Sequence, residues 1–150
     1  MKIILFQPDI PQNTGNVVRT CSVTNSSLTL VRPLGFSINS RHLKRAGLDY
    51  WDEVNIDLID NLEEFLEQET NPFYFFSSKS NRPYTEPLYT PEDTLIFGSE
   101  TRGLPPIFFE RFPEKFYTIP MASNKRCLNL SNSVSIVLFE ALRQQNFTFV

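Results

Sequence analysis

The 150-residue sequence predicts an α/β fold built on a mostly parallel sheet. Two observations carry that prediction. Strand and helix signals alternate along the chain, the pattern of successive βαβ units. The candidate strands are also short apolar runs bounded by turn residues, such as Leu95, Ile96 and Phe97 before Gly98. Strands buried on both faces read this way.

Lys2–Phe6 is the first candidate strand, and the QPDIPQNTG that follows is turn-rich. A helix is expected from about Asn16 to Thr24. Leu28–Arg32 is a second strand, ended by Pro33. Ser40 is placed to cap a short helix over 41–46, which Gly47 stops. Val54–Ile59 is a weaker strand. Asp60, with Glu63 three residues on, resembles a capping box for a helix over 61–69. Phe73–Phe76 and Thr94–Phe97 are short apolar strands, and PPIFFERF opens a helix with prolines where a first turn tolerates them. Phe116–Ile119 is a last strand, and the longest helix covers 131–145. There Val134, Val137, Leu138, Ala141 and Leu142 form one stripe at helical spacing, while Ile136 and Phe139 add apolar surface beyond it. A helix apolar on more than one side calls for deeper burial within the chain or for a second subunit.

Composition bounds the function. The chain is most simply one domain, 1–150, long enough to bury a core. No stretch approaches the roughly 18 consecutive apolar residues of a membrane span, and the N-terminal apolar run is too short for a secretory signal. Cys21 and Cys127 lack C-x-x-C spacing and His42 is the single histidine, which argues against a disulfide framework and a metal centre. A cytoplasmic protein is expected. The net charge of −3 is unevenly spread: residues 52–69 hold eight of the 17 acidic residues and no lysine or arginine, leaving nine against 14 basic residues elsewhere. The basic residues gather in three runs, Arg41, Lys44 and Arg45, then Lys79 and Arg82, then Lys125 and Arg126. These are either solvated faces or parts of a segregated basic surface. The irregular stretch 78–93 carries Lys79, Arg82, Tyr84 and Tyr89, a combination suited to phosphates and unstacked bases or to a plain surface loop.

Ligands of open α/β sheets gather outside the carboxyl ends of the strands. Four polar or glycine-bearing stretches follow strands here: NTGNVVR (13–19), SSKSN (77–81), GSETRG (98–103) and PMASNKRCLNLSNS (120–133). No G-x-G-x-x-G or Walker A sequence occurs, so dehydrogenase and nucleotide triphosphatase readings fall away. A thiol hydrolase would need His42 beside Cys127, and nothing in the sequence brings them together. Read as residues alone, Asn13 and Asn16 could be helix caps, and Asn129 and Asn132 could serve the start of the last helix.

Together, NTGNVVR, LIFGSETRGLP and IPMASNKRCLNLSNSVSI resemble, in order and spacing, the three motifs of the SPOUT class (SpoU/TrmH-type) of RNA 2′-O-methyltransferases. QPDIPQNTGNVVRTC, RPLGF, RHLKRAGLDYW and FEALRQ extend the resemblance over nearly the whole chain, toward the small TrmL/YibK-type members that methylate the tRNA wobble nucleotide. The resemblance implies helices on both faces of the sheet, a C-terminal trefoil knot and a homodimer with the cofactor site near its interface. The helix 131–145 becomes the expected dimer element. It further implies S-adenosylmethionine (SAM), no metal, and cofactor contacts at Phe76, Gly98, Ile119 and Cys127 with Leu128 adjacent. Gly98 is expected to let the main chain approach the cofactor, and Gly103 to serve the following turn.

Arg19 matches the motif arginine implied to take the ribose proton, or only to orient the phosphate and hydroxyl. An arginine, with its pKa above about 12, is a poor base. Asn16, Glu100 and Asn129 match polar positions lining the reaction site. Glu100 is expected to pair with Arg19 or Arg102, or to oppose the sulfonium. Cys127 stands where the family often has serine. With no added RNA-binding domain, tRNA recognition would fall to basic loops of both subunits, the acidic segment facing away. The expectation is a SAM-dependent 2′-O-methyltransferase acting on wobble cytidine or uridine (position 34) of tRNA. The alternatives are another RNA site, such as one in ribosomal RNA, or a non-catalytic RNA- or cofactor-binding module of the same fold.

Overall fold

The computed structural model describes residues 1–37, 48–123 and 126–148. Strands β1 (Lys2–Phe6), β2 (Ser27–Val31), β3 (Ile56–Ile59), β4 (Phe73–Phe76), β5 (Thr94–Phe97) and β6 (Phe116–Tyr117) form one sheet in the order β3-β2-β1-β5-β4-β6. All five pairings are parallel. Helices α1 (Pro11–Val23), α2 (Leu62–Gln68), α3 (Pro106–Arg111) and α4 (Leu130–Gln144) complete the layers, with 3-10 turns at Leu48–Glu53 and Pro113–Lys115.

The two-residue period of each strand sorts its side chains between two cores. Ile3, Leu5, Leu28, Leu30, Leu95 and Phe97 face one side, where Val17, Val18 and Cys21 of α1 meet Val134, Val137, Leu138 and Ala141 of α4. Ile4, Val31, Phe73, Phe75 and Ile96 face the other, against Leu62 and Leu66 of α2 and Leu104 and Phe108. Phe75 stacks on Phe116 there, ring centroids 4.6 Å apart. A sheet covered on both faces accounts for the unbroken apolar strands of the sequence.

Several boundaries differ from expectation for identifiable reasons. α1 begins at Pro11 rather than near Asn16, because proline at the first helical position costs no hydrogen bond. Asn61, not Asp60, caps α2: its side chain accepts from the N–H groups of Glu63 and Glu64 at 2.9 and 3.4 Å. Asp60 instead pairs with Arg32 at 2.8 Å. β6 keeps only two of its four expected residues, since Thr118 turns to bridge Pro83. The expected helix over 41–46, with its cap, its stop and His42, lies outside the described residues, as does Lys125.

The 78–93 loop holds its aromatic residues inward. Tyr89 is 6% exposed and donates its hydroxyl to the Tyr84 carbonyl. Arg82 pairs with Glu86 at 2.9 Å, donates to the Glu114 carbonyl and lies over the Tyr117 ring. These side chains fasten the loop to the sheet, which overturns their reading as free base-stacking groups; Lys79 alone among the four is exposed.

Candidate active site

β5 ends in Gly98, and a tight hairpin follows. Ser99 N–H donates to the Gly103 carbonyl at 3.3 Å and Gly103 N–H returns to Ser99 at 2.9 Å. A Cβ on Gly98 would lie 2.3 Å from the Gly103 carbonyl carbon and 2.5 Å from the Leu104 nitrogen. The glycine at 98 is therefore required by closure of the hairpin on itself, a reason separate from its expected role of admitting a cofactor. Gly103 takes a φ of +69°, the left-handed conformation the turn needs.

Beside this hairpin lies a cavity of about 300 Å³ at the carboxyl ends of β4, β5 and β6. Phe76 and Phe97, stacked with centroids 5.0 Å apart, give it an aromatic wall, and Ile119 and Leu130 add apolar surface. Ser77–Lys79, the 98–103 hairpin and Cys127–Leu128 line it as well. Phe76, Gly98, Ile119, Cys127 and Leu128, distant in sequence, thus share one cavity. The Cys127 Sγ lies 3.3 Å from Ser78 Oγ. The other thiol, Cys21, is fully buried, and burial pushes its pKa up to about 12. The 52–69 acidic segment contributes nothing to this cavity; its strand β3 is the opposite edge of the sheet.

Glu100 sits at the rim and does not pair with Arg19 or Arg102. Its carboxylate accepts from the Asp9 N–H at 2.7 Å, the Ile10 N–H at 3.3 Å and Asn13 Nδ2 at 2.8 Å. The N-cap of α1, Ile10, has no side chain able to cap, and no acidic residue occupies the first helical turn. Glu100 supplies both the acceptor and the negative charge that a helix N-terminus favours, from another element. Asp9 reciprocates, its carboxylate accepting from the Thr101 N–H and hydroxyl.

Asn13 Oδ1 accepts from Asn129 Nδ2 at 2.8 Å. Asn129 Oδ1 in turn accepts from the Ser131 N–H at 2.9 Å, capping α4. One network, Glu100–Asn13–Asn129, therefore joins the starts of α1 and α4 at the cavity edge. Asn13, 5% exposed, is its hub. Its sequence signal was the NTGN turn, and only the pairing with a residue 116 positions away reveals more than a cap. Asn16 and Arg19 stand outside the network, on the exposed side of α1. The Arg19 guanidinium lies over the Tyr50 ring, 5.3 Å from its centroid. Among the described residues, Arg19, Lys79 and Arg102 form no ion pair.

Among the described residues, no group of three or more His, Cys, Asp or Glu side chains could hold a metal ion, and no helix is long and apolar enough to cross a membrane.

Residues 1–139 match the model of the SpoU rRNA Methylase family. A Geobacillus stearothermophilus protein, provisionally named a tRNA (cytidine(34)-2′-O)-methyltransferase, is 47% identical over 151 residues, covering 98% of this chain and 96% of its own. A solved structure described as giving insight into the 2-OH methylation of C/U34 on tRNA superposes with a TM-score of 0.90 at 41% identity, covering 97% of this chain and 95% of that one. An AdoMet-bound rRNA methyltransferase from Sinorhizobium meliloti shares the fold, with a TM-score of 0.83 at 24% identity over 95% of this chain and 55% of its own.

Proposed function

From the premise that this chain belongs to the SpoU rRNA methylase family, we propose that it transfers a methyl group from SAM to the ribose 2′-hydroxyl of the wobble nucleotide, cytidine or uridine 34, of tRNA. One observation carries the reading. The five residues whose motif positions imply cofactor contact line a single cavity, and the network at its edge holds Glu100 and Asn129 beside the helix that bears Arg19.

The cavity fits the group. Aromatic and aliphatic walls from Phe76, Phe97, Ile119 and Leu130 suit a purine ring, while main chain beyond three parallel strand ends suits its polar edges. When bound, SAM supplies a methyl group on a positively charged sulfonium. Phe76, Gly98, Ile119, Cys127 and Leu128 would hold it, and a main-chain contact at Cys127 would survive the change from the family's serine. Glu100 and Asn129 fix the cavity edge, and Asn16 faces the incoming nucleotide from α1. The Arg19 guanidinium holds the ribose hydroxyl and its phosphate in place. Positioning of this kind supplies up to about 7–11 kcal/mol in favourable intramolecular reactions.

The same reading makes residues 1–150 one catalytic domain of a cytoplasmic enzyme. It includes a C-terminal trefoil knot, which the family resemblance implies; main-chain bonds from Ser77 N–H to Tyr117, Thr118 N–H to Arg82 and Tyr84 N–H to Thr118, all carbonyl acceptors, hold the 77–84 segment alongside the end of β6. It also includes a homodimer formed through α4, whose Ile136 and Phe139 are 36% and 44% exposed. Lys79, Arg102 and Arg126 then form the basic surface for tRNA.

The test is methyl transfer from labelled SAM to tRNA lacking wobble methylation, followed by nucleoside mass spectrometry. A 2′-O-methylated pyrimidine at position 34 is expected; modification elsewhere, or none, overturns the reading. Arg19→Ala should lower kcat by about a hundredfold or more, with SAM affinity changed less than about twofold. An unchanged kcat would remove Arg19 from the chemistry.

A further inference from the structure

Arg19 is an exposed arginine on a helix, and a long side chain so placed samples many rotamers unless something holds it. The 3-10 turn Leu48–Glu53 packs against α1 at this point. Tyr50 presents its ring to the guanidinium with 5.3 Å from carbon to centroid, inside the range of a cation–π contact. The turn is anchored from behind, since Tyr50 and Trp51 pack on the α1/α4 core and Val54 is 8% exposed. A second contact fixes its height along the helix: Ser22 Oγ donates to Glu53 Oε2 at 2.6 Å. Arg19 and Ser22, three apart on α1, thus face Tyr50 and Glu53, three apart on the turn.

The choice of partner matters chemically. A carboxylate would occupy the N–H donors of the guanidinium and offset its charge. An aromatic face engages the plane of the guanidinium and leaves its in-plane N–H groups directed outward. Among the described residues no carboxylate pairs with Arg19, and Glu53 is taken up by Ser22.

We propose that Tyr50 is a positioning residue for the methyl-transfer reaction, its ring holding Arg19 in the orientation that meets the ribose and phosphate without drawing on its charge or its hydrogen bonds. This rests on the 2′-O-methyltransferase reading above.

The comparison is Tyr50→Phe against Tyr50→Leu, in single-turnover methylation of tRNA with SAM affinity and melting temperature measured alongside. Tyr50→Phe keeps the ring and should remain within about twofold of wild type. Tyr50→Leu should lower the rate by about two- to fivefold, the size of an exposed cation–π contact, with SAM affinity within about twofold. A Tyr50→Leu rate equal to wild type, or a Tyr50→Phe loss as large as that of Tyr50→Leu, overturns the proposal. A second measurement requires no variant to fold. In the wild-type protein the ring current of Tyr50 should shift the Arg19 Hδ and Hε resonances upfield, and unshifted resonances overturn the contact itself. If the wild-type protein transfers no methyl group to tRNA, the enzymatic reading fails, whereas the resonance shift still judges the pairing.

Discussion

Gly98 and Gly103 face each other across the hairpin that walls the cavity, and they are glycines for different reasons. At 98 an added carbon has main chain within 2.3–2.7 Å in its path, so the hairpin must open to admit it. At 103 space is free, and only the φ of +69° penalises a side chain. Gly98→Ala is therefore expected to destabilise the protein by about 1–3 kcal/mol, the range of overpacking, and to abolish SAM binding. Gly103→Ala should cost about 1–2 kcal/mol from backbone strain and leave weakened binding. Urea denaturation and calorimetric titration distinguish the two. The motif around these glycines was legible in the sequence, but the reason for Gly98 was not, because the atoms that exclude its side chain belong to the same loop after it folds. Glu100 has the same lesson. Its neighbours in sequence, Arg102 above all, are not its partners; Asp9, Ile10 and Asn13 reach it from another strand end.

Helix ends show where local reading succeeds and fails. The cap of α2 was misplaced by one residue because Asp60 and Asn61 are both competent, and the Arg32 guanidinium draws Asp60 away. The other end of α2 carries a titratable link to the sheet. Glu69 accepts from Lys2 Nζ at 3.4 Å and from the Asn71 N–H at 3.1 Å. Burial alone would raise its pKa, but the Asn71 N–H and the Lys2 ammonium prevail, and the carboxyl titrates below its ordinary value of 4.5. A carboxyl depressed in the folded state stabilises above its unfolded pKa and loses that contribution as pH falls through the folded one. Replacing Glu69 by Gln should thus lower the melting temperature at pH 7, with the difference shrinking steadily below pH 4.5. A difference independent of pH would assign Glu69 a packing role only. The 78–93 loop differs: its basic and aromatic composition suits ligand contact or a plain surface loop, whereas Tyr89 buries its ring and Arg82 spends its donors on Glu86 and Glu114. Composition cannot report the direction in which a loop side chain points.

For the molecule as a whole, strand order could not be read from the sequence, yet the parallel sheet could, because both faces are covered. The central strands β1, β5 and β4 are correspondingly apolar, whereas the edge strand β3 is half exposed. Ile136 and Phe139 of α4 are among the apolar side chains that one chain leaves exposed. Light scattering should give twice the 17.4 kDa of one chain, and Phe139→Asp should reduce it to a single chain. A wild-type mass of one chain at micromolar concentration would leave α4 without the proposed dimer role.

The walls of the cavity come from residues 76 to 133, all in the second half of the chain, whereas Arg19 and α1 lie in the first fifth. A ribosome therefore releases α1 long before the segments that enclose the cavity. α1 meets its cap, Glu100, only when the fifth strand arrives. The cavity wall is complete only once Ser133 has been made, so a translation product that stops earlier lacks part of it.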